Sequence, residues 1–199
     1  MKILEHEQLT PEWRAARCGL PTASNFDKII TSEGRTSKQR QKYLYELAGE
    51  KMGGIVDETY QSFAMQRGTA MESEARGLYE FAHDSVQVVG FCLSDCGRWG
   101  CSPDGFVGEN GGIEIKCPLI HTHVEYLLKC KEEMPVDYFQ QVQGALLVTG
   151  REWWDFVSYF PGLPPVIVRE EPEPVFQRLL KQELEMFCIE LDALVKKLS

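Results

Sequence analysis

The stretch CSPDGFVGENGGIEIKC, residues 101–117, restricts the fold more than any other part of the sequence, because it has the pattern of two short strands joined by a glycine-containing turn. In its second half, Ile113 and Ile115 alternate with Glu114 and Lys116. Successive side chains in a strand face opposite sides of a sheet. One side of the hairpin is therefore predicted to face a core, while the other side carries a carboxylate and an ammonium group.

The turn of this hairpin also determines where a second carboxylate lies. If the turn is centred on Glu109, Asp104 falls opposite Glu114, and directly paired residues have Cα atoms about 4.5–5.5 Å apart. Two carboxylates at that distance repel one another unless a cation neutralises them, and oxygen ligands suit Mg²⁺ or Mn²⁺. Lys116 would then lie beside a metal-activated water. The motif alone is equally compatible with a surface hairpin whose charges are solvated.

Length and composition predict one compact domain over residues 1–199. The chain is 43% hydrophobic and 26% charged, as in ordinary globular proteins. No apolar run approaches the roughly 20 residues that are needed to cross a membrane. The N-terminal residues have no apolar stretch like that of a signal peptide, and this predicts a cytoplasmic protein without a membrane partner.

The net charge of −9 argues against a surface coated for nucleic acid, since such surfaces are normally basic. One run, GRTSKQRQK at 34–42, differs from the rest because it contains four cations and no acid. The cations are Arg35, Lys38, Arg40 and Lys42. The run fits a solvated helix start as well as a local surface that contacts DNA.

Hydrophobic periodicity predicts an α+β or mixed α/β domain, in which helices flank a small mixed sheet. Helices are predicted over 13–18, from Thr22, from Ser37 to Gly53, and over 62–83, 123–129, 136–150 and 174–198. Strands are predicted over 85–94, 98–102, 104–107, 112–117, 152–160 and 165–170.

The seven cysteines are scattered, which suits a reducing compartment better than a disulfide framework. Four of them, Cys92, Cys96, Cys101 and Cys117, raise the alternative of a zinc or iron–sulfur site, although no two have the C-x-x-C spacing. Buried thiols that pack as small apolar side chains are the simpler interpretation. His121 and His123 are expected to be surface residues at a helix start.

Four motifs in the same order resemble those of known nucleases. SPDG at 102–105 with EIKCP at 114–118 is similar to the pattern of the PD-(D/E)XK nucleases. More narrowly, the chain resembles the phage lambda-type exonuclease family, the viral recombinase and alkaline exonuclease branch of that superfamily. The other motifs that carry the resemblance are WRAARCGLPTAS (13–24), RGTAMESEARGLYEF (67–81) and QVQGALLVTG (141–150).

The resemblance implies a site for Mg²⁺, with two ions per active site and with Mn²⁺ as a substitute. Its members would be the carboxylates of Asp104, Glu114 and Glu72, the carbonyl of Ile115, Lys116 beside the attacking water, and Gln141 from the following helix. Without the resemblance, Glu72 and Gln141 would be assigned to solvated helix faces.

The resemblance also implies a set of DNA contacts. Arg17 and Ser24 match positions that help to hold the 5′-terminal phosphate, and Met65 matches a segment that separates the strands of the duplex. Thr22 is added to the phosphate contacts because residues 22–24 are predicted to begin a helix, whose N-terminal amides favour an anion. Arg35, Lys38 and Arg40 would line part of a DNA channel. From the sequence alone, Thr22 and Ser24 would be helix caps, Arg17 an exposed charge and Met65 a core residue.

The activity implied is that of a 5′-to-3′ exonuclease on the ends of linear double-stranded DNA, which leaves a 3′ overhang. The family implies a ring-shaped homotrimer that passes this overhang to a phage single-strand annealing protein in the host cytoplasm. Two alternatives remain open at this point. One is an endonuclease of the same superfamily, and the other is a catalytically inactive protein that binds DNA ends.

Overall fold

The computed structural model describes residues 1–54 and 63–199, and in the second range it describes side chains from Gln66 onward. Its α-helices are α1 Pro11–Arg17, α2 Arg40–Gly53, α3 Phe63–Ala82, α4 Ile120–Lys129, α5 Phe139–Thr149 and α6 Pro174–Leu198. The strands are β1 Lys2–Leu4, β2 Val86–Gln87, β3 Phe91–Leu93, β4 Gly100–Cys101, β5 Gly105–Val107, β6 Gly111–Lys116, β7 Trp153–Ser158 and β8 Val166–Glu170. Two 3₁₀ helices cover Ala23–Lys28 and Val136–Tyr138.

The strands form two sheets. The larger has five strands in the order β2-β5-β6-β7-β8, with β6 and β7 parallel and the other neighbours antiparallel. The smaller is antiparallel, in the order β1-β3-β4. Because β6 and β7 are parallel, the chain must cross from one end of the sheet to the other, and α4 and α5 make this connection. The predicted mixed sheet with flanking helices is confirmed.

The five-stranded sheet separates two hydrophobic clusters. Alternate residues of β7 show this: Trp154 and Phe156 belong to the large cluster with α2, α5 and α6, whereas Val157 belongs to a smaller cluster with α3. Ile113 and Ile115 also pack in the smaller cluster, as the alternation in the hairpin predicted. Helix α3 therefore covers one face of the sheet, and α2, α4, α5 and α6 contribute to the cluster on the opposite face.

The paired glycines of the hairpin belong to the strand and not only to the turn. An added Cβ at Gly111 would lie 2.1 Å from the ring of Trp153, and one at Gly112 would lie 2.3 Å from the ring of Trp154. The turn itself is at residues 108–110, where Gly108 has φ +53°. The two glycines thus allow the tryptophans of β7 to pack directly on β6, which fixes the strand that carries the acids.

Two predicted helix starts differ in the structure. Thr22 precedes a 3₁₀ helix of six residues and not an α-helix, and its side chain makes no capping hydrogen bond to that helix. The expected cap at Ser37 is replaced by Gln39, because the main chain turns once more before α2 begins. The start predicted at Ser62 lies outside the described residues.

The expectation that His123 is a surface residue is wrong. It lies fully buried in the first turn of α4 and bridges two other segments. Its Nε2 lies 3.0 Å from the carbonyl of Pro164, which can only accept, so Nε2 donates there, and Nδ1 lies 2.8 Å from the hydroxyl of Ser158. The imidazole thus fastens α4 to the end of β7. His121 is exposed, as expected.

None of the helices in the two described ranges has the length and apolar character that a membrane-spanning helix requires.

Candidate active site

The hairpin of β5 and β6 has the register that the sequence predicted. Gly105 pairs with Ile113, so Asp104, just before β5, lies across from Glu114. The main-chain N–H of Ile115 donates to Oδ2 of Asp104 at 2.6 Å. The side chain of Asp104 is therefore held against the strand that carries Glu114 and Lys116.

Glu114 is a buried carboxylate with two side-chain donors. Nζ of Lys116 lies 2.5 Å from its Oε1, and Nε2 of Gln141 donates to the same oxygen at 2.6 Å. Gln141 reaches the strand because the crossover from β6 to β7 carries α5 over this end of the sheet. The ammonium of Lys116 also lies 5.2 Å from the ring centre of Tyr138, within the range of a cation–π contact.

The carboxylates of Asp104 and Glu114 lie close enough to repel one another. Burial raises the pKa of Asp104 well above its ordinary value, and repulsion from Glu114 raises it further. Burial alone would lower the pKa of Lys116, but Glu114 and Asp104 outweigh it and raise that pKa. Lys116 therefore stays protonated at neutral pH, and only one positive charge stands against two acids.

Glu72 comes to this cluster from α3, on the other side of Asp104. Burial raises the pKa of Glu72, Arg76 lowers it, and Glu114 raises it, so the two glutamates are within electrostatic range. The carboxylate of Glu72 is nevertheless turned to Arg76, whose Nη2 donates to it at 2.6 Å. Both residues line a cavity of ≈ 540 Å³ that Asp104 also borders.

These acids suit a divalent cation by their chemistry, although they do not form a closed cage. In the parts of the chain that the structure describes, no three His, Cys, Asp or Glu side chains are placed as a ready-made metal site. The donors near Asp104 are carboxylate oxygens, as Mg²⁺ and Mn²⁺ prefer. A bound dication would also remove the repulsion that raises the pKa of Asp104. Asp104, Glu114 and Glu72 supply the carboxylate oxygens that would hold such an ion.

Among the described residues, the cysteines form no group that could hold a zinc ion or an iron–sulfur cluster. Cys92 and Cys101 face one another across β3 and β4 and are buried, whereas Cys96 is exposed. Cys117 follows β6 in the other sheet.

A second group of predicted residues, from the N-terminal part of the chain, lines a smaller cavity together with the residues of the hairpin. The cavity has a volume of ≈ 180 Å³, and its lining includes Arg17 and Ser24 as well as Asp104, Glu114, Lys116 and Gln141. The structure thus brings together two sets of residues that lie about a hundred positions apart in the sequence.

Arg17 is a partly buried cation in direct contact with neutral groups. Its guanidinium lies 4.0 Å from the ring centre of Trp13, and Nη2 donates to the hydroxyl of Thr22 at 3.3 Å. The Thr22 and Ser24 hydroxyls are 3.3 Å apart, so the three residues form one polar group. Burial lowers the pKa of Arg17 from its ordinary value, and its Nε has no hydrogen-bond partner among the described residues. An anion beside this group would lower the cost of burying the charge.

The basic run contributes less free charge than its sequence suggests. Arg40 donates through Nη2 to Glu190 of α6 at 3.1 Å and lies 5.3 Å from the ring centre of Phe187. Arg35 and Lys38 are exposed. The side chain of Met65 lies outside the described residues, so its predicted role stays a prediction.

The sequence analysis missed several residues around the site. Arg76 could have been found from its i, i+4 spacing to Glu72. Tyr138 and Gln8 carry no local signal of their roles, because their contacts with Lys116 and with the Pro103 carbonyl join residues that are distant in the sequence. Trp13 begins one of the motifs that carry the resemblance, but its contact with the hairpin segment was not predicted. Trp13 donates from Nε1 to the hydroxyl of Ser102 at 3.0 Å.

The mixed sheet and the hairpin with two acids and a lysine define a nuclease of the PD-(D/E)XK type. Within that class, residues 12–152 match the YqaJ-like viral recombinase domain, and the chain belongs to this family. The predicted resemblance to the lambda-type exonucleases is thereby confirmed.

Two solved structures are similar over nearly the whole chain. LHK-Exo, an alkaline exonuclease from Laribacter hongkongensis, is 36% identical, with 95% of this chain and 96% of that chain covered and a TM-score of 0.85. The same enzyme has been solved in complex with dAMP. A phage-related exonuclease from Haemophilus somnus 129PT is 16% identical, with 90% and 96% covered and a TM-score of 0.71, and it shows the fold alone. A comparison with curated protein sequences gave no match.

Proposed function

We propose that this DNA exonuclease uses Mg²⁺, or Mn²⁺ in its place, to degrade linear duplex DNA from 5′ ends and to leave a 3′ overhang. Its family supports a nuclease role in phage-type recombination. One observation carries the finer proposal: Arg17 and Ser24 line the same cavity of ≈ 180 Å³ as Asp104, Glu114 and Lys116. An anion-binding group and a hydrolytic group in one small cavity suit a terminal phosphate next to the first phosphodiester bond.

The chain's own groups have separate tasks in this proposal. The fork of Arg17 and the hydroxyl of Ser24 would bind the terminal phosphate and set the position of the first phosphodiester bond. The ammonium of Lys116 would donate to the attacking water and offset the charge that develops on the scissile phosphate. Gln141 would hold Glu114 in place through its hydrogen bond.

Asp104, Glu114, Glu72 and the Ile115 carbonyl would hold one or two divalent ions. When bound, such an ion neutralises phosphate charge and lowers the pKa of the attacking water. The carboxylate of Glu72 would leave its hydrogen bond with Arg76 and bind the ion instead. The guanidinium of Arg76 would then be available to a phosphate oxygen.

We also propose that three copies form a ring around the duplex and that the overhang passes to a single-strand annealing protein. The net charge of −9 is compatible with a ring, because only the channel surface must neutralise phosphates. Arg35 and Lys38 are candidates for that surface, since they are exposed. The molecular mass in solution tests this: three times 22.7 kDa is expected, and a monomer at working concentration would contradict it.

Digestion of linear and covalently closed circular DNA in Mg²⁺ tests the activity. Linear duplex with 5′ phosphates is expected to release mononucleotides, while circles stay intact and EDTA stops the reaction. Labels at the 5′ and 3′ ends report the polarity, since the 5′ label should be released first. Circles cut as fast as linear DNA would indicate an endonuclease, and binding of ends without cleavage would indicate an inactive end-binding protein.

Replacing Arg17 by methionine should weaken the use of phosphorylated ends specifically. Hydrogen bonds to charged groups contribute about 1.5–3 kcal/mol, so kcat/KM on 5′-phosphorylated duplex should fall about 10- to 100-fold. On 5′-hydroxyl duplex it should change little, because the lost contact is absent there. Arg14→Met is the matched control, since Arg14 is exposed on the same helix. An equal loss on both substrates would show that Arg17 does not read the terminal phosphate.

A further inference from the structure

The N-terminal segment, residues 5–9, lies directly against the segments that lead into the active site. At Gly90 an added Cβ would be 2.1 Å from the carbonyl oxygen of Leu4 and 2.7 Å from that of His6. The two main chains therefore touch at this point, and only glycine leaves room for the contact. The pairing of β1 with β3 anchors the chain just before this segment.

Gln8, within this segment, ties two other parts of the chain together. Its Nε2 donates to the carbonyl of Pro103 at 2.7 Å and lies 3.4 Å from the carbonyl of Val89. Pro103 is the residue just before Asp104, and its carbonyl belongs to the peptide group that joins the two residues. The hydrogen bond from Gln8 therefore holds the peptide that leads into Asp104.

We propose that Gln8 is a positioning residue that fixes Asp104 for metal binding. The carboxylate end of Asp104 is held by the N–H of Ile115, and the peptide on its N-terminal side is held by Gln8. With only the first contact, the peptide between Pro103 and Asp104 could rotate and displace the carboxylate oxygens. This inference rests on the proposed metal-dependent function and adds a residue to it.

The place of Gln8 in the cavities supports the proposal independently. Gln8 and Asp104 both line the cavity of ≈ 180 Å³ that contains Arg17, and both line the cavity of ≈ 540 Å³ that contains Glu72. Gln8 thus lies beside Asp104 where the two cavities meet. It also precedes residues 12–152, so the match to the family does not assign it a role.

A positioning role and a merely structural role for Gln8 predict different effects of replacing it. One hydrogen bond contributes only a small part of the stability of a fold. Replacing a residue that orients a metal ligand typically lowers metal affinity or activity by about 10- to 100-fold. The proposal therefore predicts a large effect on metal use and a small effect on folding.

The test uses Gln8→Met, which keeps the length of the side chain and loses the donor, and Gln8→Glu, which places an acceptor opposite the Pro103 carbonyl. Gln41→Met is the matched control, because Gln41 donates to Tyr45 on the exposed face of α2. Titration calorimetry with Mn²⁺ alone measures metal binding without DNA. Cleavage at increasing Mg²⁺ gives kcat, KM and the metal requirement, and thermal unfolding reports the fold.

Both Gln8 variants are expected to bind Mn²⁺ about 10- to 100-fold more weakly than wild type and to need correspondingly more Mg²⁺. KM for DNA should stay close to that of wild type, and excess Mg²⁺ should restore much of the rate. If wild type is active and the variants bind Mn²⁺ as it does, the inference is overturned, whatever their unfolding temperature. If wild type neither binds metal nor cleaves DNA, the proposed function fails, and this inference fails with it.

Discussion

Replacing Lys116 by methionine is expected to lower the rate of DNA cleavage by about 10³-fold, at the upper end of what one lost electrostatic donor costs an enzyme. Methionine keeps most of the length of the side chain and removes the charge that lies 2.5 Å from Glu114. Binding of DNA ends should remain largely intact, because Arg17, Thr22 and Ser24 enter the cavity from another part of the chain.

Lys129→Met is the matched control for this experiment. Lys129 also lies 2.5 Å from a glutamate, Glu125, but the pair is exposed on α4. Surface pairs of this kind contribute little, so both stability and activity should stay near wild type. Rates are measured with 5′-phosphorylated linear duplex, and binding is measured with EDTA present. A Lys116→Met enzyme that cleaves at the wild-type rate would rule out the role given to this ammonium.

Replacing Asp104 by asparagine should abolish most activity and at the same time stabilise the metal-free fold. Several kcal/mol of charge stabilisation depend on the ion that Asp104 would hold, and this corresponds to about a 10³-fold loss of rate. The amide oxygen of asparagine can still accept from the N–H of Ile115, but it carries no charge to repel Glu114. The free energy of unfolding without metal should therefore rise by an amount on the order of 1 kcal/mol.

The pH dependence of stability follows from the raised pKa of Asp104. The stability that the protonated carboxyl contributes is fully present below its unfolded pKa, near 3.9, and is lost as pH rises towards the higher folded value. Metal-free wild type should therefore lose stability relative to Asp104→Asn as the pH rises above about 4. Thermal unfolding over this range measures the difference.

Mg²⁺ provides the complementary measurement for the same variant. A ligand that binds only the native state raises the unfolding temperature, so Mg²⁺ should stabilise wild type and have much less effect on Asp104→Asn. Asp137→Asn is the control, since Asp137 is exposed on a 3₁₀ helix. An Asp104→Asn variant that retains both cleavage and stabilisation by Mg²⁺ would show that the ion binds elsewhere.

The hairpin is the part of the site that sequence reasoning could reach, because its geometry is local. A period of two, with a turn of known position, decides that Asp104 lies across from Glu114 and that Ile113 faces a core. The contribution of Gln141 could be expected only from the resemblance, because it depends on how α5 crosses the sheet. The contacts of Gln8 are of the same kind, since they join segments about 95 residues apart, which no local pattern encodes.

The wrong prediction that His123 is a surface residue has a related cause. From sequence, IHTHVEYLLK has histidines at both 121 and 123 and offers apolar residues on more than one side of the helix. The buried side is chosen by the acceptor at Pro164 and the hydroxyl at Ser158, which satisfy both ring nitrogens. An isolated helix carries no information about partners that arrive from another strand.

The sequence by itself determined the alternation of side chains along β6, the tight turn before it, and most of the helices and strands, because these depend on neighbours a few residues apart. It did not predict β1, and the strand predicted over 85–94 is divided into β2 and β3, which lie in different sheets. Tertiary structure alone decided that Arg17 and Ser24 share a cavity with Asp104, that Glu72 turns to Arg76, and that Gln8 holds the peptide before Asp104. These arrangements depend on how the sheet, α1, α3 and α5 pack against one another. Packing of this kind is settled by shape and charge across the whole chain.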